Sequence, residues 1–168
     1  MESAVGMSSS REQLEARANE FCRRYGLTLS HGLGFGIDGS VYSTVQESAV
    51  KVHERHFTYF TEIEVYQRLA EWKVKSICGH TVPRMMRHDD ELWTLEISIV
   101  RPPFLLDFAK ASLDFPPDFT DEVMQEWHER CAEMFGERWP AVRTIMSELE
   151  ERYGIYLLDV NPGNIKFA

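Results

Sequence analysis

The sequence has no long apolar run, few cysteines, few lysines and no surplus of positive charge, and each shortage closes off a class of function. No segment approaches the ~18 consecutive apolar residues that a membrane-spanning helix needs, so no membrane role is expected. The stretch from Met1 to Ser10 lacks the basic-then-apolar order of a secretory signal. Three cysteines (Cys22, Cys78 and Cys131) are widely separated and in no metal-binding spacing. They read as free thiols in a reducing, cytoplasmic setting rather than as a disulfide framework or a zinc site. Lysine is scarce, with 5 against 13 arginines, and the formal net charge is −9. That balance argues against nucleic acid as a bulk partner, because a phosphate-tracking surface needs clustered cations. The shortage is worst late in the chain, where residues 111–168 carry 5 basic and 12 acidic side chains.

Core material is plentiful. Of the 168 residues, 43% are hydrophobic and 12% aromatic, enough for one domain of ordinary size or a compact two-lobed unit. Residues 1–9 are small and polar and are expected to fray. A capping-box spacing, Ser9 with Glu12 or Ser10 with Gln13, predicts a helix from there to about Tyr25, striped by Leu14, Ala18, Phe21, Cys22 and Tyr25 and stopped at Gly26. Val41 to Val45 and Ala49 to Val52 read as strands joined by a short turn at Gln46-Glu47-Ser48. Thr58 to Trp72 returns to helical period, with Phe60, Ile63, Tyr66, Gln67 and Ala70 spaced three or four apart. Val82 to Arg87 and Glu91 to Val100 read as two more strands turning at Asp89-Asp90. Trp93, Leu95, Ile97 and Ile99 alternate, which predicts one buried face.

Arg101-Pro102-Pro103 breaks the sheet pattern, because proline cannot donate to a ladder, and marks a linker. Beyond it the period predicts helices over Phe104 to Ala111, Phe119 to Phe135 and Trp139 to Tyr153. Phe119, Val123, Trp127, Cys131 and Met134 stripe the second, and Val142, Ile145, Met146, Leu149 and Tyr153 the third. Their acidic outer faces read as solvated surface. A late hairpin closes the chain, from Ile155 to Leu158 and from Ile165 to Ala168. The class is α+β, in three stretches. Residues 1–26 form an N-terminal helical extension, 27–100 a β-rich lobe with one inserted helix, and 101–168 a hinge and a reduced helical lobe. Clefts at such joints tend to hold ligands.

Three groups of residues could carry chemistry. Gly34-Phe35-Gly36-Ile37-Asp38-Gly39-Ser40-Val41 fits G-x-G-x-x-G-x-V. A strand rather than a helix follows it, so a dinucleotide-binding fold is excluded. A glycine hairpin of this kind is either a plain turn or a place where backbone N–H groups approach phosphate oxygens. Lys51 lies in an apolar strand, flanked by Val50 and Val52, where it either snorkels to the sheet surface or reaches a phosphate as a point charge. Glu62 on the following helix could pair with it; Glu64, two positions round, faces elsewhere. Asp159 and Asn164 flank Asn161-Pro162-Gly163, which is either a tight turn or a loop that brings a carboxylate and an amide oxygen to one site. The aspartate could accept the proton of an attacking hydroxyl, and the asparagine oxygen suits Mg²⁺.

Taken in order, glycine loop, strand lysine, helix glutamate, hinge, helices and D-x-x-x-x-N, the sequence resembles the protein-kinase-like superfamily over residues 27–168, as a short bacterial-type member. The resemblance implies a two-lobed, truncated kinase-like fold that binds ATP and Mg²⁺. It implies that Gly34, Gly36, Gly39 and Val41 form the nucleotide loop, with Val41 and Ala49 against adenine. The backbone from about Ile97 to Arg101 would meet the adenine edge. Lys51, oriented by Glu62, would hold the phosphates, Asp159 would serve as base, and Asn164 would be a metal ligand. Leu157-Leu158 replaces the usual His-Arg, and Asn161 replaces the usual catalytic-loop lysine. The sequence ends 4 residues after Asn164, before any D-F-G or activation loop. The missing metal-binding aspartate would leave Asp159 or Asn161 to serve in its place. Two functions are therefore expected to compete. One is phosphotransfer to a protein or small-molecule hydroxyl; the other is a catalytically inactive pseudokinase-type module that binds nucleotide or a protein partner.

Overall fold

A computed structural model describes the backbone of residues 2–168 and the side chains from Ser10 onward. In chain order the elements are α1 (Glu2–Tyr25), β1 (Leu29–Gly36), β2 (Gly39–Thr44), β3 (Ser48–His53) and α2 (His56–Glu71). Four strands follow: β4 (Ser76–Ile77), β5 (His80–Thr81), β6 (Met85–Asp89) and β7 (Thr94–Ser98). Next come β8 (Phe104–Leu105), β9 (Ser112–Leu113), α3 (Asp121–Phe135) and α4 (Trp139–Tyr153), the last after a 3₁₀ turn at Gly136–Arg138. β10 (Ile155–Tyr156) and β11 (Ile165–Lys166) complete the α+β order. The chain forms two units, residues 1–63 with 84–99, and residues 64–83 with 100–168.

The first unit is built on a five-stranded sheet in the order β1-β2-β3-β7-β6, each neighbour antiparallel. Its β1–β3 segment is rich in Val, Ser, Thr and Tyr, which suit a pleated surface. Helix α1 lays Leu14, Ala18, Phe21 and Cys22 against Tyr42, Val50 and Val52 on one face of the sheet, and together they form a buried cluster. This helix begins at Glu2, well before the expected capping box. No proline interrupts residues 2–9, so the helix propagates through them. Ser10 instead donates its hydroxyl proton to the Glu54 carboxylate at 2.8 Å. Strand β7 is buried on both faces, since Leu95, Ile97 and the intervening Glu96 are all covered, while Ile99 is exposed. The alternation of one buried face fails because Glu96 is paired with Arg87 at 2.6 Å and so can be buried.

In α2 the buried residues are Thr58, Tyr59, Glu62, Ile63, Val65, Tyr66 and Leu69, whereas Phe60 is exposed. The buried stripe is therefore rotated from the apolar spacing in the sequence, because it includes a glutamate that hydropathy discards.

In the second unit, β11, β8, β5 and β4 form one small sheet and β9 pairs with β10 in another. The expected closing hairpin is absent: β10 pairs with Ser112–Leu113 and β11 with Phe104–Leu105. The expected helix over Phe104 to Ala111 is also replaced, by β8 and a turn, because that backbone is taken up in pairing to β11 and β5. An eight-residue helix has little intrinsic stability with which to resist such pairing. Helices α3 and α4 do form. Thr120 caps α3, accepting the Val123 N–H, and Gly154 ends α4 in the left-handed region at φ 62°. Val142, Ile145, Met146 and Leu149 are buried as their spacing predicts. The start of the α3 stripe is not: Phe119 and Val123 are 53% and 44% exposed. With Trp127, Met146 and Tyr156 they line an open cavity of about 500 Å³. Among the described residues, no helix is long and apolar enough to cross a membrane.

Candidate functional site

Register places the first group of residues. Val41 is opposite Lys51, and Ala49 opposite Ile97, in neighbouring antiparallel strands, so Val41, Ala49, Lys51, Leu95 and Ile97 share one face of the five-stranded sheet. The glycine-rich segment is the β1–β2 hairpin, with Gly36 paired to Gly39 across a two-residue turn and bulges further back in β1. Its glycines have different reasons to be glycine. Gly39 has φ 150°, and a Cβ there would lie 2.0 Å from the Val52 carbonyl oxygen. At Gly34 and Gly36 a Cβ would meet nothing within 4 Å. The fold requires the first, while the other two leave open space beside the backbone.

Gly39→Ala should therefore cost about 1–3 kcal/mol, the scale of a strained backbone residue. Gly36→Ala should stay within about 0.5 kcal/mol of the parent in urea unfolding. Equal losses would show that both glycines serve the turn alone.

Behind the hairpin, Lys51 Nζ lies 2.8 Å from Glu62 Oε2 and donates to Oε1 at 3.1 Å. Both residues are buried, Glu62 to 1% exposure, while Glu64 is on the exposed side of the helix. Burial alone would push the Glu62 carboxyl up. The Lys51 ammonium and then the His53 ring more than reverse this and hold it down to about 2. His53 is the partner the sequence reading missed: its Nε2 is 2.8 Å from Glu62 Oε2. The signal was available, since a residue two after Lys51 on a strand must share its face.

The second group lies in the loop between β10 and β11, whose ends are fixed by pairing to β9 and β8. Leu157 and Val160 are buried and anchor it. Asn161 then ties it together. Its Nδ2 donates to Asp159 Oδ1 at 3.1 Å, and its Oδ1 accepts the Gly163 and Asn164 N–H groups at 2.9 and 3.2 Å. With two backbone donors on its oxygen, Asn161 is a strut of the loop. Asn164 Nδ2 donates to the Asp159 carbonyl at 3.0 Å, which leaves Oδ1 as the group a cation could take. The Asp159 carboxylate is one-third exposed, and Lys110 Nζ stands 3.9 Å from its Oδ2. Nothing local in the sequence pairs Lys110 with Asp159. The β8–β11 pairing, which periodicity does not reveal, brings the two segments together.

The structure thus brings Lys51, Ala49, Val41 and Glu62 together in the first unit, and Asp159, Asn161 and Asn164 together in the second. Among the described residues, no group of three or more His, Cys, Asp or Glu side chains stands together as a metal cluster. One carboxylate and one amide oxygen in a loop fit Mg²⁺, which binds few protein ligands and keeps waters or substrate phosphates for the rest.

No protein-family model matches the chain, and no curated protein matches it. Among solved structures, it is similar to the ternary complex of APH(2")-IIa with streptomycin and ATP, at 13% identity and a TM-score of 0.42, over 86% of this chain and 40% of that one. It is also similar to the ADP-bound aminoglycoside phosphotransferase APH(2'')-Ib, at 12% identity and a TM-score of 0.44, over 88% of this chain and 41% of that one. The gentamicin complex of APH(2")-IIa gives 13% identity and a TM-score of 0.45, over 86% and 40%. The chain spans about two fifths of the length of these structures. Fold likeness does not transfer a substrate, so none of these ligands is carried over.

Proposed function

We propose that this chain is the nucleotide-handling part of a protein-kinase-like phosphotransferase that uses Mg-ATP and a hydroxyl acceptor, a small molecule or a protein side chain. The observation that carries this reading is the buried Lys51–Glu62 pair on the sheet face shared with Val41 and Ala49. A buried ion pair is poor value as a stabiliser, because desolvating two charges offsets most of their attraction. A lysine kept in one place by a glutamate, beneath a hairpin whose Gly34 and Gly36 leave room at the backbone, suits a phosphate group. In this reading the hairpin N–H groups and Lys51 hold the phosphates, and Val41 and Ala49 pack on the adenine ring.

The second unit supplies the hydroxyl-handling loop. Asp159 accepts the proton of the acceptor hydroxyl as its oxygen bonds to the terminal phosphorus and the bond from that phosphorus to ADP breaks. Asn164 Oδ1 is the group that would hold Mg²⁺, which would supply positive charge to the phosphate oxygens. Asn161 orients Asp159 through its amide.

Calorimetric titration with ATP, with and without Mg²⁺, tests the reading. Binding that depends on Mg²⁺, is lost in Lys51→Ala and survives in Asp159→Ala is the expected result. No binding at millimolar ATP by a folded sample would overturn it.

A further inference from the structure

The glycine hairpin has two faces, and the proposed reaction uses one of them. Gly34 is opposite Val41, and Gly36 opposite Gly39, in the same rows as Lys51 and His53. Both glycines therefore bare the sheet face that carries the lysine. Phe35 lies between them, opposite Ser40, and so stands on the other face, with Tyr42 and helix α1. There it cannot meet a phosphate, yet three neighbours fit it closely.

The Arg11 guanidinium sits over the Phe35 ring, 4.1 Å from its centroid, close for a cation on an aromatic face. The ring meets Tyr42 edge-on at 5.7 Å. It also lies across Gly32, where an added Cβ would collide with its Cζ and Cε2 atoms. Gly32 is itself paired with Tyr42, so its bare backbone is the floor on which the ring rests.

Arg11 is placed for this by its helix. Leu14 and Ala18 are buried against the sheet, and Arg11 lies one turn further toward the N-terminus on the same stripe. Helix α1 is fixed at several points. Ser10 donates to Glu54 at 2.8 Å, and Arg17 donates to the His53 and Leu92 carbonyls at 2.8 and 3.1 Å. The contact between Arg11 and Phe35 thus has a rigid side and a yielding one.

The yielding side is β1. It is an edge strand bonded to β2 alone, and its register shifts between Leu29 and Gly32 and again between Gly32 and Gly34. The two ends of the hairpin are tied down. The His31 N–H donates to Ser43 Oγ at 3.2 Å, and the Asp38 carbonyl accepts the Glu54 N–H at 3.0 Å. Between these ties Leu33 and Ile37 are exposed. Phe35 is half-exposed too, but its ring is gripped from both α1 and β2.

We propose that Arg11 and Phe35 form a clamp by which α1 holds the glycine hairpin at a set height over the Lys51 face, which makes both of them positioning residues for the nucleotide phosphates. The functional half of this rests on the nucleotide reading of the hairpin; the clamp does not. A hairpin already held in place loses less freedom when phosphates arrive, and this strengthens binding.

Amide hydrogen exchange of the full chain tests the clamp. Arg11 is exposed, so its substitution leaves the fold intact. In Arg11→Gln the hairpin amides that bond to β2 should exchange roughly two- to fivefold faster, the scale of one exposed cation–π contact. Those of β3 should keep the parent's rates. Arg11→Lys, which keeps a cation over the ring, should recover most of the protection. Unchanged exchange in Arg11→Gln would overturn the clamp.

Calorimetry tests the positioning role. Mg-ATP affinity should fall by a similar factor, roughly two- to fivefold, in Arg11→Gln and in Phe35→Leu, and should return in Arg11→Lys. The double variant Arg11→Gln/Phe35→Leu should bind no worse than the weaker single one, because either change alone opens the clamp. Additive losses, or faster exchange with unchanged affinity, would overturn the positioning role. Absence of ATP binding by the parent would overturn the nucleotide reading and the functional half with it, while the exchange rates decide the clamp separately.

Discussion

Lys51→Met should destabilise the chain by about 3–5 kcal/mol in urea unfolding, and Lys51→Met/Glu62→Leu should regain most of that while binding no ATP. The single change removes one member of a buried pair and strands the other. Glu62 is 1% exposed, and a buried charge deprived of its partner costs about that much. His53 stays within 2.8 Å of Glu62 and softens the loss, so the lower end of the range is expected. Replacing both partners with apolar residues removes the stranded charge as well as the attraction, which is often neutral.

Stability and nucleotide binding therefore part company in the double variant. If it recovered both, the pair would be structural and the phosphate role of Lys51 would fall. The parent should also lose stability in acid. The Glu62 carboxyl is depressed to about 2 from an ordinary 4.5, so its contribution is fully present above pH 4.5 and disappears as pH falls toward 2. The double variant should lack this component of the acid transition.

The two units differ in how much of them the sequence disclosed. In the first, alternation and short turns are local properties, so the β2–β3 hairpin and the α2 helix follow from spacing alone. The pairing of Lys51 with Glu62 rather than Glu64 follows from helical geometry as well. What local pattern missed there is polar burial. Glu62, Glu96 and His53 lie inside because each has a charged or polar partner from another element, and hydropathy cannot anticipate a partner. In the second unit the helices α3 and α4 were legible because their stripes are long.

The pairing of the short strands was not legible. A two-residue strand such as Ile165–Lys166 carries no mark of its partner, and that partner, Phe104–Leu105, lies about sixty residues earlier. The same distant pairing turns an apolar run that resembles a helix into β8, and it places Lys110 near Asp159. Both the false helix and the missed lysine thus have one cause, a long-range contact that outweighs local propensity.

Asp159→Asn should lower the rate of phosphoryl transfer by about 10²–10⁴, the usual worth of a positioned general base, and leave Mg-ATP affinity within about threefold. The substitution keeps the size of the side chain and leaves the backbone carbonyl that accepts from Asn164 Nδ2 untouched, so the loop should hold its shape. Asn161→Ala acts on the same step from the other side. It removes the amide that fixes Asp159 Oδ1 and the oxygen that gathers the Gly163 and Asn164 N–H groups, while leaving the carboxylate itself in place. Its rate should fall by a smaller factor, roughly 10–10², through loss of orientation. Combining the two should cost no more than Asp159→Asn alone, because a base that is gone cannot be further misplaced. Additive losses would mean that Asn161 acts on the substrate or metal independently of Asp159. A rate unchanged in Asp159→Asn, in a protein that binds Mg-ATP, would assign proton removal to some other group or show that the chain binds nucleotide without transferring phosphate.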